Sequence, residues 1–165
     1  MHHRVTRRDR TAGQALVETA LVLPVLLLIL FGFIDFARAA FAYNNLENAA
    51  RSGTRVAAVN QIETSPACSR DTPIVDVLNP TWSIKACTVS EAVGLNLQQS
   101  DVTVTYSTPP SQPTLVCVLG NLHVGCLVTV TVNYTYSPLT PVIGQMFPSI
   151  NMTTSSQSTI ERVFS

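Results

Sequence analysis

The sequence predicts an α+β fold: a long N-terminal helix that leads from a membrane into the extracytoplasmic space, followed by a small antiparallel β-sheet domain. Three observations predict it. Residues 19–34 form an apolar run without a charged side chain. Beyond Asp35, apolar residues recur at helical spacing, and no proline occurs over residues 25–65. In the last third of the chain, apolar and polar residues alternate, which is typical of strands with one buried face.

The apolar run is the candidate membrane segment. Its sixteen residues cover about 24 Å as a helix, whereas a hydrocarbon core of about 30 Å needs more. Extension back to Gln14 supplies the missing length but places Glu18 in the cytoplasmic leaflet. A carboxylate there costs about 2.5–3.5 kcal/mol if it lies deep. Glu18 is therefore either a functional intramembrane acid or an interfacial acid reaching back to the headgroups, and its position alone leaves both open.

Charge is distributed unevenly between the two ends of the chain. Four arginines against Asp9 leave +3 before Gly13, whereas eight acids and six bases leave −2 over residues 35–165. By the positive-inside rule, the basic leader, residues 1–13, stays in the cytoplasm and the remainder is exported. Arginines beside an apolar segment are typical of a topogenic signal, so no nucleic-acid partner is expected.

One helix is predicted over residues 12–61, after a disordered leader. Its membrane part covers about residues 14–35, and its amphipathic part covers residues 36–61. Asp35 can pair with Arg38, and Glu47 with Arg51. The apolar face of the amphipathic part consists of Ala39, Ala42, Leu46, Ala49, Gly53 and Val56.

Pro24 is the one helix breaker in the membrane part. Its missing N–H leaves the carbonyl of Ala20 without an intrahelical partner, which predicts a kink. Prolines are also simply tolerated in membrane helices, so both interpretations stay open.

The rest of the chain divides into an irregular region and a β domain. Residues 62–101 carry turns at Pro66, Pro73 and Pro80 and a short helix within residues 90–97. Residues 102–165 form the β domain, with strands over 102–106, 114–119 and 124–136. A proline-rich loop then precedes residues 151–163, which suit an edge strand or a linker equally well.

The four cysteines all lie in the exported part, where an oxidising compartment permits disulfides. Pairing Cys117 with Cys126 across a hairpin requires that the two be directly opposite. This register places a loop at residues 120–123 and matches Leu115 with Val128 and Leu119 with Val124, so that every pair on that face is apolar.

A second disulfide, Cys68–Cys87, follows by elimination. Zinc bound by Cys117, His123 and Cys126 is the alternative, but their spacing is not a common ligand pattern. Disulfides are therefore predicted, and no metal.

No catalytic motif, phosphate-binding glycine loop or close pair of carboxylates is found in the sequence. His2 and His3 lie in the leader, and His123 lies in the predicted hairpin loop. The chain is expected not to be an enzyme and to have no cofactor and no small-molecule substrate.

The N-terminal third carries a resemblance to a known family. Residues 13–18 read GQALVE, residues 20–39 read ALVLPVLLLILFGFIDFARA, and residues 44–59 read NNLENAARSGTRVAAV. These segments resemble the TadE-like family of minor pilins, or pseudopilins, of the tight-adherence pilus, a system similar to type IV pili. The later strands agree only in pattern, including the closing STIER.

The resemblance implies processing by a prepilin peptidase between Gly13 and Gln14. It further implies that Glu18 neutralises the N-terminal amine of a neighbouring subunit during pilus assembly. The implied partners are this peptidase, other pilins, the assembly platform and membrane lipid. The implied location is the bacterial inner membrane, in a single pass with a cytoplasmic N-terminus, with incorporation into a surface pilus.

Two other hypotheses give different mature N-termini. An ordinary signal peptide would be cut after Ala39 or Ala42, although Asp35, Arg38 and the continuous helical pattern argue against it. A plain single-pass anchor for an extracytoplasmic interaction domain would keep Met1.

Overall fold

A computed structural model describes residues 7–59, 63, 68, 83–119, 121–146, 148–161 and 163. The turns predicted at Pro66, Pro73 and Pro80 lie outside these residues. The elements in chain order are helix α1 (Arg7–Val59), helix α2 (Ile84–Glu91), a 3-10 turn (Gln99–Asp101), strand β1 (Val102–Ser107), strand β2 (Leu127–Tyr136), helix α3 (Pro141–Met146) and strand β3 (Ile150–Thr159). A long helix followed by a small antiparallel sheet confirms the predicted α+β class.

Helix α1 is continuous over 53 residues. It begins at Arg7, so the expected disorder of the leader is wrong for residues 7–12. The reason is that arginine favours helices and that extending an existing helix adds one hydrogen bond for each residue fixed. The helix continues through Pro24, and a kink there stays a prediction.

The chain forms two compact units, and α1 contributes to both. One contains the helix up to Arg38 together with Pro138–Pro148, and the other contains Ala39–Ser137 and Ser149–Ser165.

The core of the second unit lies between the amphipathic part of α1, α2 and one face of the sheet. The sheet order is β1-β2-β3, with both neighbours antiparallel to β2. On β2, Val128, Val130 and Val132 are fully buried, as the alternation predicted. The predicted apolar face of α1 is also confirmed: Ala42, Leu46, Ala49 and Gly53 are buried, and Ala39 and Val56 are half-buried.

The hairpin predicted between residues 114–119 and 124–136 is wrong. In the structure, Val128 lies opposite Tyr106 of β1 and Ser158 of β3, rather than Leu115. Because both hydrogen-bonding edges of β2 are occupied by β1 and β3, the preceding segment has no edge to join. Within the described residues of that segment, the ladder contact is a single bridge between Val118 and Asn121.

The short helix also differs from the prediction of a helix that starts at Ser90 and ends at Gly94, because it spans Ile84–Glu91. Its start is fixed by Ser83, whose hydroxyl oxygen accepts the N–H of Ala86 at 2.9 Å and so caps the first turn. Gly94 follows the helix with φ of +78°, a conformation that favours glycine.

The predicted proline-rich loop contains helix α3. Pro141 occupies the first helical position, where its missing N–H breaks no hydrogen bond. Gly144 donates to the carbonyl of Thr140 at 2.8 Å and closes the first turn. Residues 151–163, which suit an edge strand or a linker by sequence, contain most of β3, and β3 lies at one edge of the sheet.

Candidate functional site

The first part of α1 exposes an almost wholly apolar surface. Fifteen large apolar side chains between Leu16 and Phe36 are exposed. Over residues 19–34, only Gly32 is even half-buried. In the described part of the chain, α1 is the one helix long and apolar enough to cross a membrane. Such a surface needs lipid or other helices to cover it.

Gly13 and Gln14, the predicted cleavage positions, both lie inside α1 and are exposed. A Cβ added to Gly13 would meet nothing within 4 Å, so the space around the residue is open. Cleavage of the bond between Gly13 and Gln14 would require the helix to unwind locally. Glycine makes unwinding easier, because its helix propensity is about 1 kcal/mol lower than that of alanine.

Glu18 lies four residues after Gln14, about one helical turn, near the N-terminal end of the apolar surface. It lines a shallow groove of about 300 Å³ together with Thr19, Val22, Leu23 and Leu26. The carboxylate is exposed, and no described residue forms an ion pair with it. A carboxylate at the edge of an apolar helix surface is placed to meet a cation of another chain when that surface is covered.

Asp35, at the other end of the uncharged run, is buried with 4% exposure. Its predicted pairing with Arg38 is present, at 3.5 Å. In addition, the backbone N–H groups of Leu139 and Thr140 donate to its two carboxylate oxygens at 3.0 and 3.1 Å, and the hydroxyl of Thr140 donates to the second of them. Asp35 therefore holds the start of α3 against α1.

Sequence reasoning missed this contact, because the partners lie 104 and 105 residues apart. The local signal was the pair Thr140-Pro141, a capping residue followed by a proline at the first helical position. This pair indicates a helix start within the proline-rich loop. It does not indicate which carboxylate accepts the backbone N–H groups at the start of that helix.

The cysteines are joined as predicted, Cys117 with Cys126 and Cys68 with Cys87. The sulfur of a disulfide is not a thiolate ligand, so the alternative zinc set with His123 loses two of its three ligands. Among the described residues, no group of three potential ligands could hold a metal ion.

Comparison with known proteins supports the resemblance at the N-terminus. Residues 13–55 match the family model described as TadE-like protein. No curated protein and no solved structure matches the chain. The matched segment begins at the predicted cleavage glycine, contains Glu18 and Asp35, and ends in the buried part of α1. Over residues 13–55, this chain is thus similar to the TadE-like family.

Proposed function

We propose that this chain is a minor pilin, or pseudopilin, of a tight-adherence pilus. In this proposal it is held in the bacterial inner membrane by the first part of α1, with its N-terminus in the cytoplasm and its sheet domain outside. A prepilin peptidase cuts it between Gly13 and Gln14. It then packs with other pilins through the apolar surface of α1, as a structural component and not as an enzyme.

The observation that carries the proposal is the exposed apolar half of α1. Burial of one large apolar side chain is worth about 1.5–3 kcal/mol, so leaving fifteen of them in water costs tens of kcal/mol. This exceeds the whole stability of a typical domain, about 5–15 kcal/mol. These side chains must therefore be covered by lipid at first and by other apolar helices afterwards, without exposure to water in between. A pilin that moves from the membrane into a fibre meets this requirement.

The position of Glu18 supports the same proposal. A carboxylate buried among packed helices is tolerable when a cation meets it. Cleavage after Gly13 creates such a cation, the free amine of Gln14, on each neighbouring chain. The amine and the carboxylate are four residues apart in sequence, about 6 Å along a helix. A small axial offset between adjacent helices therefore brings them together.

The mass of the mature N-terminal peptide, isolated from native membranes and fibres, tests this proposal. We expect a chain that begins at Gln14. Replacement of Gly13 by phenylalanine should leave an intact leader on a chain that is still membrane-bound, whereas Ala20→Phe, an equally bulky change further along the exposed helix, should not prevent cleavage. A chain that begins at Ala40 or Tyr43 would identify a signal peptide instead, and a chain that keeps Met1 would identify a plain anchor. An intact leader in working fibres would overturn the proposed processing.

A further inference from the structure

Helix α3 runs back along the membrane part of α1. Its start lies at Asp35, which accepts the N–H groups of Leu139 and Thr140. Further along α3, the Cδ1 atom of Ile143 lies 3.8 Å from the position of a Cβ on Gly32. Gly32 precedes Asp35 by three residues, about 4.5 Å of helix, so α3 proceeds toward the N-terminal end of α1. This proximity to Gly32 places Ile143 beside the uncharged run.

The composition of this segment suits an apolar environment. Residues 138–148 read PLTPVIGQMFP and contain no charged residue. Leu139 is 71% exposed, although it lies next to the apolar surface of α1. An exposed leucine by itself is ordinary, but here it continues a surface of fifteen exposed apolar side chains on the same compact unit.

Several backbone donors at the start of α3 are satisfied within the protein. Backbone donors at membrane depth must be satisfied within the protein. Asp35 satisfies those of Leu139 and Thr140, and Pro141 has none. Gly144 donates to the carbonyl of Thr140. Arg38 lies 3.5 Å from Asp35 and offsets its charge, so the junction presents no uncompensated carboxylate.

We propose that the segment Pro138–Pro148 is a second lipid-contacting element of this protein. It lies in the outer-leaflet interface of the membrane that α1 crosses, with Leu139 at the boundary between headgroups and acyl chains. Asp35 is the residue that positions it there. This inference rests on the membrane anchoring in the proposed function, but it adds a segment from the far end of the chain to the membrane-bound surface. Short apolar segments of this kind bind at the bilayer interface without crossing it.

The test uses the full chain in vesicles of phosphatidylethanolamine and phosphatidylglycerol. All four native cysteines are in disulfides, so one introduced cysteine can carry a polarity-sensitive fluorophore. Three labelled variants are compared: Leu139→Cys in the proposed segment, Val22→Cys in the membrane part of α1, and Thr105→Cys on the exposed face of β1. Lipids that carry a nitroxide either near the headgroup or near the end of the acyl chain report the depth of each probe.

We expect the probe at Leu139 to be quenched several-fold more than that at Thr105, and more by the shallow nitroxide than by the deep one. The probe at Val22 should show the opposite depth preference. If the probe at Val22 reports lipid but the probe at Leu139 reports water, as the probe at Thr105 does, the inference is overturned. If Val22 also reports water, the anchoring itself fails. Shielding of Leu139 without nitroxide quenching would identify another protein chain as the occupant and would equally overturn the inference.

The role of Asp35 is tested in the same vesicles. Asp35→Asn removes the charge and one acceptor oxygen, and it should reduce quenching at Leu139 several-fold without changing quenching at Val22. Asp101→Asn is the matched control, because Asp101 also accepts a backbone N–H, that of Gln98 at 2.8 Å, but in the second unit. If Asp35→Asn and Asp101→Asn change the quenching of the probe at Leu139 equally, Asp35 has no positioning role.

Discussion

Gly53 of α1 and Thr88 of α2 approach so closely that a Cβ on Gly53 would overlap the hydroxyl oxygen of Thr88. The same Cβ would lie 3.2 Å from Cγ1 of Val130 on the central strand. Both residues are buried, and the hydroxyl of Thr88 is held in place because it donates to the carbonyl of Ile84 at 2.7 Å. The absence of a side chain at Gly53 therefore permits α1, α2 and the sheet to meet at one point.

Gly53→Ala should destabilise the second unit. Alanine favours a helix by about 1 kcal/mol over glycine, but overpacking of a core costs about 1–3 kcal/mol, and Thr88 cannot move without losing its hydrogen bond. We expect a net loss in the free energy of unfolding, measured by urea denaturation of the full chain in detergent. Gly53→Ala should destabilise the Thr88→Ala variant less than it destabilises the wild type, because the alanine at position 88 removes the overlapping hydroxyl. A more stable single variant would contradict the packing described for this point.

Glu18→Ala should be processed normally but should fail to assemble. The substitution leaves the cleavage positions intact and removes the carboxylate that we propose to meet the amine of a neighbouring Gln14. The measurements are the mass of the N-terminal peptide and the amount of the chain recovered in sheared pili. Glu47→Ala is the control, because it removes a carboxylate that pairs with Arg51 of the same helix. Wild-type recovery of the Glu18 variant in pili would remove the proposed assembly role.

The stability of the second unit should fall in alkaline solution through Tyr106. Burial and the nearby carboxylate of Glu63 raise the pKa of the Tyr106 hydroxyl above its ordinary value of 10.0. Below pH 10 the hydroxyl is protonated in both the folded and the unfolded chain, so its contribution to the free energy of unfolding does not change with pH. Above pH 10, the unfolded chain loses this proton while the folded chain keeps it, and unfolding becomes more favourable.

The check for this prediction is urea denaturation at pH 8 and pH 11 of wild type and Tyr106→Phe. The wild type should lose more free energy of unfolding than the variant between the two conditions. Tyr43→Phe, at an exposed tyrosine, should behave like the wild type. Equal losses for wild type and Tyr106→Phe would contradict the raised pKa.

Removal of the Cys117–Cys126 disulfide should cost about 2.5 kcal/mol, the value that loop-closure entropy gives for a loop of this size; the two cysteines are nine residues apart. The variant with both cysteines replaced by alanine is compared with wild type by urea denaturation. Peptide mapping without reductant checks the pairing independently, and a peptide that links Cys117 to Cys68 or Cys87 would show that the pairing is wrong.

Periodicity determined the parts of this protein that depend on neighbouring residues in the sequence. The uncharged run and the apolar face that follows it predicted a single helix with two environments, because side chains three and four residues apart share one face of a helix. The alternation around Val130 predicted the buried face of β2 for the corresponding reason in a strand. The contiguous residues 12–59 also carried the family resemblance, and residues 13–55 of them match the family model.

Only the tertiary structure decided which distant segments meet. Residues 114–119 alternate like a strand but do not pair with β2, because β1 and β3 occupy both of its edges. The proline-rich segment forms α3 because its first donors find Asp35, a residue more than a hundred positions away. Local pattern specifies which groups need partners, whereas the choice of partner depends on competition among all the segments that the fold brings together.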